Sequence, residues 1–229
     1  MDVKIVTFLL GLAPVIVHAQ SSYLREDLER LYETHNCVQC DLTTAQIETM
    51  DLQASDLSDA YFTNSHLYNL LLQNATIQEA NFAYTQIYNC NAEGSDFNHA
   101  YFAWANIEVD HFENSKLTNM QFIHSKVKFS YFNGADFSNS LLSEAKLTSS
   151  DFKHGIFKNA SLFKVDFSNS DLSFTNFTDA KLSKITFNHT NLLGSNITKE
   201  QLDGVRSMYC ATLPDGSIYD DQGRYNCKG

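Results

Sequence analysis

Ala135-Asp136-Phe137-Ser138-Asn139 is one unit of a pattern that runs through most of this 229-residue chain. Phe137 is large and apolar, and so is every fifth residue from Leu42 to Ile197 except Ala92, which makes 31 of 32 positions. Two residues ahead of each, from Cys40 to Ser195, 26 of 32 positions hold Ala, Ser, Thr, Cys or Gly. A period of five fits neither the ~3.6 of a helix nor the ~2 of a strand. It describes a repeating backbone of its own, and a fixed short period of this kind signals a solenoid. Phe137 must face a core, Ala135 turns inward where its neighbours leave little room, and the residues between them line the outside.

The units Ala60-Tyr61-Phe62, Ala80-Asn81-Phe82, Ala135-Asp136-Phe137 and Ser170-Asp171-Leu172 resemble the A(D/N)LXX signature of the pentapeptide-repeat family, in phase from residue 40 to 199. The resemblance implies an all-β fold, a right-handed quadrilateral β-helix with four repeats per coil. That gives about eight coils, and at one strand spacing of ~4.8 Å per coil a rod roughly 38 Å long. No coil can bury its own interior, so stability is a nearest-neighbour sum and both ends need covers.

Residues 20 apart then stack in columns. Met50 and Leu70 are bulky where small residues are expected, and the next two inward positions below them are Cys90 and Ala92, which reads as volume compensation. Asp110 occupies the next inward slot. A lone buried carboxylate is costly, so the backbone is expected to bulge there and turn Asp110 outward.

The ends read differently. Residues 1–19 have an apolar run from Ile5 to Val17 and small residues at Val17-His18-Ala19, the features of a secretory signal peptide. The mature chain would begin at Gln20 and be exported, to the periplasm or beyond, with no membrane span once the leader is removed. Residues 20–39 form an N-terminal cap. Ser22 to Glu33 carries Leu24, Leu28 and Leu31 on one helical face with Ser22 as N-cap, and should cover the first coil's open edge. Residues 200–229 form a C-terminal cap, entered through the capping-box match Thr198-Lys199-Glu200-Gln201 and ending in a tail with the turn sequence Leu213-Pro214-Asp215-Gly216-Ser217. That tail, from Cys210 to Ser217, also looks like the terminal module of exported members of the family.

Five cysteines suit an oxidising compartment. Cys210 and Cys227 bracket the tail and are expected to be bonded. Cys37 and Cys40 form a CxxC that reads as a local disulfide, a redox-active pair or half a zinc site. No second CxxC or His pair completes a zinc site, and no βαβ pattern surrounds it. Cys90, in an inward slot, reads as a buried free thiol.

No catalytic constellation, phosphate loop or cofactor motif stands out, so the chain reads as a non-enzyme without cofactor or metal. Asp59, Glu79 and His99 share an outer column, as do Glu93 and Glu113, but a hard cation needs six or more well-placed oxygens. The five Asn-x-Ser/Thr sequons (Asn74, Asn159, Asn176, Asn188, Asn196) are expected by chance in a chain this rich in those residues. The candidate site is aromatic. Tyr84, Trp104 and His124 fall 20 apart and should form one ladder, with Tyr61 and Tyr101 nearby and Tyr68 and Tyr88 around the adjacent corner. Such ladders can simply stabilise stacked strands, or mark a binding face for a protein or a carbohydrate, since Tyr and Trp are enriched at interfaces.

Charge is uneven. Residues 20–115 hold 2 basic and 15 acidic residues (−13), and residues 116–229 hold 13 and 11 (+2). An acidic rod repels nucleic acid. The resemblance also implies an alternative, because some members of the family bind DNA gyrase as acidic, DNA-shaped dimers. The leader disagrees with that cytoplasmic target, and no device for dimerisation is evident. A partner protein is expected, and the sequence names neither it nor the oligomeric state.

Overall fold

In a computed structural model, which describes residues 22–220 and Cys227, the chain is a four-sided parallel β-solenoid. The presumed leader and Gln20 lie outside the described residues. The column Asp41, Tyr61, Asn81, Tyr101, Gln121, Leu141, Ser161, Lys181 is bridged in parallel at every step, so seven 20-residue turns link eight stacked levels on that side. Ordered strand triplets form on one side at a time: β1 (Gln46–Glu48), β2 (His66–Tyr68), β3 (Gln86–Tyr88), β4 (Asn106–Glu108), β5 (Lys126–Lys128) and β6 (Lys146–Thr148) make one sheet. The triplets then move to the neighbouring side as β7 (Ser161–Phe163) and β8 (Lys181–Ser183).

Each position of the repeat has a physical assignment. The large residue points to the axis: from Leu42 to Ile197 all are buried except Leu182, which is half-buried. Inward phenylalanines stack down the columns, as in Phe112–Phe132–Phe152 (4.9 Å between each pair of centroids) and Phe137–Phe157–Phe177 (4.8 and 5.2 Å). The Asp or Asn before the large residue accepts the N–H two residues on and fixes the corner, as from Asp136 to Ser138 (2.8 Å) and Asp171 to Ser173 (2.8 Å). Inward serines donate to carbonyls of the wall, Ser140 to Leu117 and Ser170 to Leu147, which removes most of the cost of burying a hydroxyl.

The residue two past each large one has positive φ, between 52° and 70°, at every fifth position from Thr44 to Gly194. Only three of these 31 residues are glycine (Gly94, Gly134, Gly194), and nine are asparagine. Left-handed backbone costs an ordinary L-residue ~1–2 kcal/mol, and least for Gly, Asn and Asp. The fold therefore holds one mildly strained residue per corner, over-determined by stacking.

Two kinds of corner explain the bulky inward residues. At tight corners the inward residue's N–H bonds back three residues, as from Ala45 to Leu42 and Ser65 to Phe62. After a strand triplet the corner is wider. Met50, Leu70, Asp110, Val165 and Ile185, five of the six departures from the small-residue rule, each follow such a triplet by two residues. The level of Leu70 is slightly underfilled, with a void of about 10 Å³ against Leu67, Leu70 and Leu72. Room at the corner, and not overfilling balanced by Cys90 and Ala92, accounts for Met50 and Leu70.

The expectation for Asp110 fails. Its side chain is fully buried, with Oδ1 accepting the Cys90 N–H (2.6 Å) and Oδ2 the Glu108 N–H (3.0 Å). From Cys90 to Ser150 in this column, the inward N–H finds its acceptor on the side chain 20 residues on. Asp110 donates its own N–H to Ser130 Oγ, Ser130 to Ser150 and Ser150 to Ser170, all at 3.2 Å. Burial pushes the Asp110 carboxyl up to about 7, against the pull of those two N–H bonds. Burial, then Asp110, pushes the free Cys90 thiol up to about 12.

Both ends are covered. Helix α1 (Ser22–Thr34) buries Leu24, Leu28 and Leu31 against the first coil. The first coil's outward-facing donors find side chains of the cap: Asp41 N–H donates to Asp27 (2.7 Å) and Asp56 N–H to Asn36 (2.7 Å). Helix α2 (Lys199–Leu202) has Thr198 as N-cap, with the reciprocal Thr198–Gln201 bonds of a capping box. Gln201 also donates to the Phe177 and Ala180 carbonyls, and Ser207 and Thr212 bridge the last coil.

Candidate functional site

The aromatic ladder is assembled by the 20-residue step. Tyr84 and Trp104 lie parallel with centroids 6.4 Å apart, and Trp104 stacks on His124 at 4.2 Å. All three occupy the left-handed corner position (φ 59°, 62° and 57°), which throws their side chains out from the edge. Tyr84 is 56% and Trp104 52% exposed. On the adjoining strand side, Tyr68 and Tyr88 meet edge to face at 6.3 Å, and Tyr68 Oη lies 3.3 Å from His66 Nδ1. Tyr61 and Tyr101 share a column on the other side of the ladder but are separated by Asn81, so they do not stack. Below His124 the column turns ionic: His124 Nδ1 lies 3.6 Å from Glu144, which pairs with Lys164 at 3.1 Å. The Tyr84–Trp104–His124 ladder thus begins in the acidic half of the rod and gives way in its own column to the Glu144–Lys164 ion pair.

Further aromatics escaped the sequence reading. Phe129, Tyr131 and Phe174 are all exposed, Tyr131 stacks on His111 (4.8 Å) and Phe174 on His154 (5.3 Å). The signal lay in the 20-residue spacing of His111 and Tyr131 and of His154 and Phe174, which mark columns as Tyr84 and Trp104 do.

The cysteines close two bridges, Cys37–Cys40 and Cys210–Cys227. Among the described residues, one group of three metal-ligating side chains comes within 4.8 Å, namely Asp27, Cys37 and Cys40. Both its sulfurs are joined to each other and buried beneath α1. Arg30 ties the group together, pairing with Asp27 (3.2 Å), donating to Val38 O (3.0 Å) and touching Cys40 Sγ. Thiol exchange needs an accessible sulfur, so this geometry fits a staple between cap and first coil. Asp59, Glu79 and His99 line one partly exposed corner column and do not come together as a group of metal-ligating side chains. No described helix is long and apolar enough to cross a membrane.

Comparison with known proteins gives the same architecture. The family pattern described as Pentapeptide repeats matches in eight copies, over residues 55–91, 130–169 and 170–206. Among solved structures, HetL, a pentapeptide repeat protein involved in heterocyst differentiation regulation from the cyanobacterium Nostoc sp. strain PCC 7120, is 18% identical. The match covers 85% of this chain and 98% of that one with a TM-score of 0.53. A trypsin-treated form of QnrB1, a plasmid-mediated fluoroquinolone resistance protein, is 19% identical over 72% of this chain and 92% of that one, with a TM-score of 0.41. The likeness to HetL, at this identity, speaks to the fold alone. No curated protein matches the chain.

Proposed function

This chain belongs to the pentapeptide-repeat family, and from that premise we propose that it is an exported, non-enzymatic scaffold that binds a protein, or a glycan, through the surface around Trp104. The observation that carries this reading is where the aromatics stand. The corner position favours Asn or Gly, and nine of its 31 occupants are Asn. Tyr84, Trp104 and His124 occupy it with large rings that no interior needs, set side by side with Tyr84 and Trp104 half in solvent. Rigid, amphipathic rings of this kind are what protein interfaces recruit. The leader-like residues 1–19 and two disulfides support a life outside the reducing cytoplasm.

The test has two parts. A processed N-terminus at Gln20 in an extracytoplasmic fraction is the expected outcome, and unprocessed cytosolic protein would contradict export. Partners captured by the mature protein should be lost with Tyr84→Ala and Trp104→Ala. If capture survives both substitutions, the ladder serves only the stacking of the coil.

One observation favours a second reading, an acidic mimic of DNA that binds a topoisomerase: residues 20–115 carry a net −13. Cytosolic protein that alters gyrase supercoiling would support it over the scaffold.

A further inference from the structure

Around the next corner from β5 and β6 lies a pocket of about 260 Å³ that shares no residue with the surface around Trp104. Its upper wall is Phe129 and Tyr131, 54% and 42% exposed, and its floor is Ser149, Asp151, Asn169 and Asp171. The stacking of columns makes the hollow. Tyr131 has His111 against one ring face, but the next residue in its column is Asp151. Phe129 is followed in its corner column by Ser149, and Ser149 is too small to cover a phenyl ring. Two neighbouring rings therefore face a polar shelf in place of a third ring.

The shelf is held in place. Asp151 Oδ1 accepts the Lys153 N–H at 3.0 Å, and the Asn133 amide, with its nitrogen turned to the carboxylate, donates to both oxygens at 2.6 and 3.2 Å. Asp171 Oδ1 accepts the Ser173 N–H (2.8 Å) and the Asn191 amide (3.2 Å), while its Oδ2 lies 3.8 Å from Lys153 Nζ. Each ionised carboxylate offers about four lone-pair sites, so acceptors remain for a ligand. Lys153 offsets one of the two negative charges and the amides hydrogen-bond both carboxylates, which leaves oriented acceptors for hydroxyl donors. Apolar ring faces beside a few oriented polar groups are the usual make-up of a small-ligand site.

We propose that this pocket binds one ring of a neutral saccharide, its C–H face against Tyr131 and Phe129 and its hydroxyls donating to Asp151, Asn169 and Asp171. The site stands whether or not the surface around Trp104 has a partner. Its test is calorimetric titration of the folded protein with maltopentaose, cellopentaose and chitopentaose, each up to about 10 mM, the weak end of specific binding. Saturable binding of at least one is expected. Tyr131→Ala should weaken it about tenfold, the scale of one lost ring contact, while Tyr131→Phe and Trp104→Ala retain it. A thermal melt of Tyr131→Ala establishes that the variant is folded. Absence of saturation with all three sugars would overturn the proposal. So would undiminished binding by Tyr131→Ala, or butylammonium taking the pocket in preference to every saccharide.

Discussion

The two halves of the rod solve the same packing problem with different residues. From Leu42 to Ala92 the axis is lined mostly by Leu and Ile, with only Phe62 and Phe82 as rings, whereas from Phe97 to Ile197 eleven of 21 central residues are phenylalanine. Outside, the contrast changes kind. The first half presents Tyr61, Tyr84, Tyr88 and Trp104 among carboxylates, and the second presents Phe129, Tyr131 and Phe174 among Lys126, Lys128, Lys146 and Lys164. The repeat dictates the inward side chains and the corner, and leaves the outward positions free. Surface chemistry that differs between halves sharing one backbone is thus where function should be sought.

The largest expected effect sharpens the contrast in the core. Phe152 is fully buried among Phe132, Phe137, Phe157 and Phe167. Phe152→Ala should cost about 5 kcal/mol, the upper end for a buried ring, and Leu57→Ala in the aliphatic half about 3 kcal/mol. Denaturant melts of both variants measure this, and equal losses would erase the distinction.

Asp110 sits where the halves meet, and burial raises its carboxyl from an ordinary 3.8 to about 7. Below the ordinary value both folded and unfolded chains keep the proton. Between about 4 and 7 the unfolded chain releases it first, so stability falls as pH rises, by about 4 kcal/mol in full above 7. Asp110→Ser, the residue found at 130, 150 and 170 of the same column, keeps an acceptor for Cys90 N–H and should remove this part of the pH slope. Melting at pH 5 and pH 8 tests it, and an unchanged slope would place the titration elsewhere.

The two caps should also separate. Cys210 and Cys227 are 17 residues apart in sequence and Cys37 and Cys40 only three. Cys227→Ser should therefore cost about 3 kcal/mol, read as a lower melting temperature, and opening the short bridge should cost less through chain entropy. The smallest effect is a gain. Val109 is β-branched at φ 64°, and Val109→Asn should stabilise by about 1 kcal/mol.

Much of this was legible in the residues. The five-residue period showed which side chains meet at the axis, Thr198 to Gln201 showed the cap, and 20-residue spacing placed Tyr84, Trp104 and His124 together. Asp110 was misread because a buried carboxylate was weighed as a lone charge. The serines at 130, 150 and 170 were the clue that this column must accept N–H bonds. The left-handed corner was not read either, although Asn64, Asn69, Asn74, Asn89 and Asn114 recur at it. The pocket beneath Tyr131 depends on what is missing, a ring at 149 or 151, and absences between distant residues leave little trace in a linear pattern.

The most direct test of the surface reading compares one ring from each half. Mature protein, Trp104→Ala and Phe174→Ala, all shown to be folded, are used to capture partners from the native extracytoplasmic fraction. Loss of the partner with Trp104→Ala and retention with Phe174→Ala is the expected result. Capture by Trp104→Ala at the level of the unaltered protein would contradict it.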